Sequence, residues 1–316
     1  MLLLALYLLA YGRSGQDCLW APRFLRKLNL LAKKGPLPHC HFCAQKRQVF
    51  KRNLSTANRE IEMALNERVK TGIPGLDSLI GGGFPKGRII LVSGACGTGK
   101  SILAMEFAYK GALEYNEPAV FVTFDEMPEK IREDCLNFGW DLEALERKKK
   151  FALVDATSAR VGAPSDEEHA ILPGQMDIDR IIVDIMTVAK NIGAKRIVID
   201  SIPAMAFKID NPTEIRRAIL KLAYITSRAG LTTIMTTEIE EQNLAIAPSF
   251  KFSKYDIEEY VADGVILLSF IGAGRDMIRT AYVRKMRGTK HSMEIHPIEI
   301  NSDGVTVKKL SDVLKI

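Results

Sequence analysis

The stretch LVSGACGTGKS, residues 91–101, decides how the chain is read. RIILVSG (88–94) is a short, apolar, β-branched run, and SILAMEFAYKGALEY (101–115) carries apolar residues at spacings of three and four. A strand therefore runs directly into a glycine-rich turn and then into a helix, the context that gives a phosphate loop its meaning. Gly94, Gly97, Thr98 and Gly99 would turn backbone N–H groups inward around a phosphate chain, and the helix N-terminus adds its positive end. Lys100 would reach the β and γ oxygens, and Ser101 would ligate magnesium. Cys96 lies inside the loop as a small filler, where thiol modification would obstruct binding.

Outward from the loop, short β-branched runs alternate with amphipathic stretches, the pattern of a mostly parallel sheet with crossover helices. The predicted strands are RIILVSG, AVFVTFD, FALVDA, RIVIDS, TTIMTTE and GVILLSF. The predicted helices are SILAMEFAYKGALEY, PEKIREDCLNFG, DIDRIIVDIMTVAKNIG and EIRRAILKLAYITSRAG, the last two ending at Gly193 and Gly230, where left-handed caps are expected. After Gly264 strand-like runs follow without helices, so the sheet should finish with antiparallel strands. VGAPSDEEHAILPGQ (161–175) reads as a surface loop, and no internal repeat is present.

Hydrolysis needs more than a phosphate loop: a carboxylate near the metal and a group that orients water. RIVIDS ends in Asp200, the predicted metal-side acid with Ser101. AVFVTFDE delivers Asp125 and Glu126 from a strand expected beside the phosphate-loop strand, at the carboxyl edge where open α/β sheets bind ligands. One of the pair is expected to aim or deprotonate the attacking water, the other to cap the helix starting near Pro128. Thr236, Thr237 and Glu238 end their strand at the same edge and are candidates for sensing the γ-phosphate.

Composition narrows the partners. Of 316 residues, 47% are apolar and 26% charged, a globular composition. The net charge of +6 belongs to residues 1–62, which hold 11 Lys/Arg against 3 Asp/Glu; the remainder has 33 against 35. A near-neutral main body gives no global electrostatic footprint for nucleic acid. Residues 1–62 lack a sustained period and read as a basic, disordered extension or as translated upstream sequence ahead of Met63, leaving 63–316 as the folded domain. The apolar start MLLLALYLLAY is eleven residues, short of the roughly 20 that span a bilayer, so no membrane association is expected. Cys18, Cys40, Cys43, Cys96 and Cys135 are odd in number and scattered, which fits reduced thiols in a cytoplasm. Cys40 and Cys43, with His39 and His41, lack the second ligand pair a structural zinc site uses.

With these parts in place, the segment from Arg68 to about Leu310 resembles a single KaiC-type domain of the RecA-like ATPase superfamily. The resemblance is carried by TGIPGLDSLIGGGFPKGRIILVSGACGTGKS, EPAVFVTFDE, NFGWDL, RIVIDS, TTIMTTE and KMRGTKH in that order. It implies a RecA-like P-loop core and a homo-hexameric ring with ATP and Mg2+ at the subunit boundaries. It further implies that Gly97–Ser101 hold the phosphates and that Asn137 approaches the nucleotide within the same subunit. KMRGTKH would come from the neighbour, with Lys285, Met286 and Arg287 at the γ-phosphate side and Thr289 and His291 near the sugar. On an extended strand Lys285, Arg287 and Thr289 would share one face. Asp125 with Glu126 departs from the family's usual Glu-Glu pair by one methylene, which implies slow turnover or a larger role for Glu126. Asn301 and Ser302 stand where the clock protein has a Thr-Asp pair near the base. Glu258 and Glu259 stand where it phosphorylates a Ser-Thr pair, so autokinase activity there is not expected.

The reading that follows is a nucleotide-dependent regulatory ATPase acting on a protein partner of unknown identity. A recombinase-like DNA-binding ATPase is the alternative, with EIEEQNLAIAPSFKFSKYDIEEY (238–260) as its loop, although acidic residues there outnumber the lysines. An ATP-binding scaffold with negligible hydrolysis is the third.

Overall fold

The computed structural model describes residues 67–171, 178–207, 209, 211–239, 253–273 and 276–309. The extension at 1–62, and with it the Cys40/Cys43 pair, lies outside them, as does most of the loop considered for DNA. In chain order the elements are β1 (Arg68–Val69), α1 (Leu76–Leu79), β2 (Phe84–Pro85), β3 (Ile89–Gly94), α2 (Lys100–Glu114), β4 (Ala119–Thr123), α3 (Pro128–Asn137), α4 (Leu142–Arg147), β5 (Phe151–Asp155) and α5 (Thr157–Val161). They continue with α6 (Ile178–Asn191), β6 (Arg196–Asp200), α7 (Ile202–Met205), α8 (Pro212–Arg228), β7 (Thr232–Glu238), α9 (Glu258–Val261), β8 (Gly264–Ala273), β9 (Asp276–Met286), β10 (Ile295–Asn301) and β11 (Gly304–Val307).

Each of the six predicted strands and four predicted helices is present. Gly193 and Gly230 follow α6 and α8 with φ of 63° and 73°, as caps require. The main sheet runs β11-β10-β9-β8-β3-β7-β6-β4-β5. From β8 to β5 the strands are parallel, while β9, β10 and β11 are antiparallel, as the helix-free end of the sequence predicts.

Strand alternation divides the apolar residues between two cores. Ile90 and Val92 of β3 face the core built with Leu103 and Phe107 of α2, Ile131 of α3 and Leu142 of α4. Ile89 and Leu91 face the opposite core, with Ile181 and Ile185 of α6 and Ile219 and Leu222 of α8. Burial on both faces explains why these strands read as continuous apolar runs. One expectation fails: β4 does not lie beside β3. The edges of β3 are taken by β7 and β8, and two strands, β7 and β6, separate it from β4. The acidic loop also differs from a plain surface loop. Ile171 is buried, Ala170 bridges to Asp155, and Glu167 pairs with Arg132 at 2.5 Å.

Two buried charges tie the α2 side together. Arg196 is fully buried, donating to Phe107 O (2.7 Å) and Glu117 (2.8 Å) with its guanidinium 4.4 Å above the Phe107 ring. Glu106 on α2 is buried and accepts from Val305 N at 2.7 Å, fastening the C-terminal hairpin to the helix that carries the phosphate loop. Burial pushes the Glu106 carboxyl up to about 7 from 4.5. A carboxyl raised in the folded state holds its proton longer than the unfolded chain does, so its contribution is full below about pH 4.5 and is lost as pH rises towards 7. The loss amounts to about 3 kcal/mol. Glu106→Gln, which keeps an acceptor for Val305 N, should therefore match the parent near pH 4.5 and exceed it in stability at pH 8. Urea unfolding of both proteins at the two pH values checks this; an equal difference at both would mean that the carboxyl does not ionise in that window.

Candidate functional site

The loop after β3 has the shape its residues foretell. Gly99 starts α2 with φ of 100°, a left-handed conformation, and a Cβ there would sit 2.8 Å from Ile300. At Gly94 a Cβ would lie 2.5 Å from Leu268 O, so the close approach of β8 demands glycine. Thr98 Oγ1 and Lys100 Nζ both donate to Ala95 O, at 2.8 and 2.9 Å, which closes the loop on itself. Lys100 is buried, and desolvation lowers its pKa against the opposing pull of Glu238, Asp200 and Cys96.

Asp200 ends β6 and accepts a hydrogen bond from Thr236 Oγ1 on neighbouring β7 and another from Ser101. Desolvation raises its pKa, and those two bonds with Lys100 work against the rise. The hydroxyl and carboxylate read as metal ligands are thus brought together by direct contact. An oxygen pair of this kind, next to a lysine and inward-turned glycines, suits a hard divalent cation bound with a polyphosphate. Of the three residues ending β7, Glu238 alone lines the cleft. Thr236 is spent on Asp200 and Thr237 donates to Glu258 Oε1 at 3.2 Å.

Asp125 and Glu126 reach the same cleft although their strand lies three places from β3. The parallel register carries Thr123 level with Asp200, and both strand ends open on one side. Neither carboxylate caps α3, as was expected of one of them. Met127 occupies the cap without a side-chain bond, and Pro128 at the first helical turn has no N–H to satisfy. Asp125 instead accepts from Ser201 Oγ (2.7 Å) and Arg160 Nη1 (2.9 Å). The Glu126 backbone is fixed by Thr123, while its carboxylate has no hydrogen bond among the described residues. Its pKa is raised by desolvation and by Asp200, Asp134 and Asp125, with Lys130 opposing.

These groups line a cleft of about 430 Å³. Its apolar wall includes Ile300 and Phe138, and Phe138 stacks on Trp140 with centroids 4.8 Å apart. Asn137 itself is exposed at the end of α3 and does not line the cleft; its neighbour Phe138 does. Asn301 follows Ile300 at the end of β10 and caps its own turn by accepting from Asp303 N. Sequence reading missed Ser201, Arg160, Arg279 and Ile300. Ser201 adjoins Asp200 and could have been found, whereas Arg160 and Arg279, which donates to Gly97 O at 3.1 Å, sit in stretches without a motif.

The basic cluster is elsewhere. Gly264, the start of β8, pairs with Ile90 on one side and Met286 on the other, whereas the phosphate-loop end of β3 pairs with Leu268. Lys285 and Met286 thus sit at the amino edge of the parallel sheet, about 13 Å of strand from Gly94 before any loop is counted. Lys285 donates to Glu259 O (2.8 Å) and Ala262 O (2.7 Å); Arg287 reaches Tyr260 O (3.2 Å) and Asp263 (3.5 Å). The shared strand face ends at Met286, because 287–289 form a turn. Thr289 accepts from Arg68 at 2.6 Å, and His291 Nδ1 lies 3.0 Å from Ser292 O. Glu258 is buried and accepts from Thr237 and from the N–H groups of Tyr255 and Ile257.

A mostly parallel sheet with a phosphate loop after β3, an acid at the end of β6 and one strand between them defines a RecA-like P-loop fold with a nucleotide-binding cleft. A family model described as "ATPase: KaiC" matches residues 69–312. The chain is 38% identical over 243 residues to a UPF0273 protein of Methanocaldococcus jannaschii, covering 76% of this chain and 96% of the relative. It is 36% identical over 240 residues to the circadian clock oscillator protein KaiC of Acaryochloris marina, covering 76% of this chain but 44% of the clock protein. The crystal structure of a KaiC-like protein from Pyrococcus horikoshii superposes with a TM-score of 0.65 at 41% identity, covering 76% and 98%. The chain belongs to the KaiC-type ATPase family and carries one such domain.

Two cysteines line the cleft, and their surroundings separate them. Cys96 is exposed in the loop, whereas Cys135 is buried and its thiol is pushed up to about 12 by desolvation, Asp134 and Glu126. The thiolate is the reactive form. N-ethylmaleimide at pH 7.5, a working value of roughly one unit below an ordinary thiol's pKa, should label the Cys96 peptide well before the Cys135 peptide, and prior ATP should protect Cys96. Peptide mass mapping reads both. Equal labelling of the two, with or without ATP, would contradict this geometry.

Proposed function

We propose that the protein is an ATP-hydrolysing ring, a homo-hexamer whose sites form between subunits, that works as a nucleotide-dependent regulatory module in the cytoplasm. The observation that carries the reading is the separation within one chain of the phosphate loop from Lys285 and Arg287. The two groups lie at opposite edges of the sheet, so one copy cannot bring them to the same phosphate, and a second copy can.

In this reading Gly94, Gly97, Thr98, Gly99 and Lys100 hold the phosphates, while Ser101 and Asp200 would hold Mg2+, which would supply positive charge against the phosphates. Glu126 takes a proton from water as its oxygen attacks the γ-phosphorus. The bond to the bridging oxygen breaks, and ADP leaves with that electron pair. A carboxylate with a raised pKa and no competing donor suits a general base better than Asp125, whose oxygens are both engaged. Arg287 and Lys285 from the neighbour meet charge on the transferring group, a contribution worth about 10³ to 10⁵ in rate for a trans arginine. Thr289 and His291 from the neighbour complete the nucleotide contacts; Asn137 lies outside the cleft lining and Met286 is buried in the core. Glu258 supports the expectation that no autokinase acts at 258–259, since a buried carboxylate holds the loop there.

Mixing two inactive variants tests the shared site. Lys100→Ala removes the phosphate-loop cation and Arg287→Ala the contribution from the neighbour. Each alone should lose at least tenfold in ATP turnover, within the range a trans arginine supplies. Their mixture should recover activity, because some interfaces then join an intact loop to an intact Arg287. Parental turnover by Arg287→Ala, or no recovery on mixing, would exclude the shared site. Chelation of divalent cations should abolish turnover in the parent. Label from γ-labelled ATP should not appear in the 254–264 peptide.

A further inference from the structure

Asp125 lies two residues past the end of β4, between the segments that follow β5 and β6, and each supplies one partner. From the β5 side, Arg160 at the end of α5 donates Nη1 to Oδ1 at 2.9 Å; from the β6 side, Ser201 donates Oγ to Oδ2 at 2.7 Å. Both carboxylate oxygens are thereby fixed, and three successive loops at the carboxyl edge are joined through one side chain. An exposed ion pair alone does little to hold geometry. This one is braced. The Arg160 side chain is 22% exposed, and its guanidinium lies 5.6 Å above the Phe207 ring. Ser201 is buried and also accepts from Ala204 N as the cap of α7. Glu126 follows directly, with its backbone clamped by Thr123.

We propose that Arg160 is a positioning residue: by pinning Asp125 against Ser201 it fixes the backbone from which Glu126 is presented to the attacking water. The inference rests on the ATPase reading above and assigns the two carboxylates different work. Asp125 is the strut and Glu126 the base. The shorter side chain at 125 then belongs with the arginine that reaches it, since an aspartate held between Arg160 and Ser201 has both oxygens engaged and leaves Glu126, in the cleft, as the carboxylate of the pair without a donor among the described residues. Arg160 does not touch the phosphate loop, so its loss should leave nucleotide binding intact and disturb the chemical step.

Steady-state kinetics on the parent, Glu126→Gln, Arg160→Met and Arg160→Lys separates the claims. Arg160→Met keeps the apolar stem over Phe207, and Arg160→Lys keeps the charge. Misplacement of a catalytic group by an ångström costs up to about a hundredfold, so Arg160→Met should lose about ten- to a hundredfold in kcat with KM for ATP changed less than about threefold. Arg160→Lys should recover most of the rate. If the parent turns over, Glu126→Gln does not, and Arg160→Met matches the parent, the positioning role alone is overturned. If the parent and Glu126→Gln hydrolyse ATP equally, the base assignment falls with it. Should Arg160→Met melt early, Arg160→Gln replaces it; loss of melting temperature and ATP affinity in both would show a purely structural residue and overturn the proposal.

Discussion

The site depends on the seating of β3 between β7 and β8. Gly94, the last residue of the strand, lies so close to Leu268 O that no larger residue fits, and the phosphate loop begins there. On the other edge β7 keeps β6 one strand away, and Thr236 crosses that interval to hold Asp200. The loop and the acid that faces it are therefore set by main-chain pairing in a sheet buried on both faces, where a slip in register would carry every side chain to the wrong core.

Carboxylates gathered at one edge repel one another, and the fold answers each differently. Asp200 receives hydroxyl donors from Thr236 and Ser101; Asp125 receives Arg160 and Ser201. Glu126 receives neither; although exposed at the mouth of the cleft, its pKa is raised by partial desolvation there and by Asp200, Asp134 and Asp125. Neighbouring acids driven into different states by their surroundings are the usual basis for dividing acid–base work. Glu106, a buried carboxyl on α2, serves the hairpin whose Ile300 forms part of the cleft wall.

Much of this was legible in the sequence. LVSGACGTGKS marked strand, loop and helix together, and RIVIDS marked the acid, because each needs only local pattern. The lateral order of strands was not legible, since periodicity says which face of AVFVTFD is buried and nothing about its neighbour. The partners of Asp125 were hidden for a related reason. Arg160 is 35 residues away in a stretch with no motif, and only the β5–β4–β6 order makes it a neighbour. The cap predicted near Pro128 failed because proline at the first turn reduces the need for one. KMRGTKH was recognisable by resemblance, but its position at the opposite edge follows from β8–β9 pairing, which includes an irregularity between Val265 and Ile266.

In the proposed reading, that opposite position gives the chain two incomplete halves. One edge offers a phosphate loop, a carboxylate pair and an exposed base; the other offers a lysine and an arginine held on backbone carbonyls around 259–263. The central claim is that catalysis belongs to the junction of two copies. ATP turnover per subunit, measured across a dilution series together with mass from light scattering, tests it most directly. Specific activity should fall as the assembly dissociates and should vanish in the monomer. Constant activity per subunit in a protein that scatters as a monomer would contradict the account.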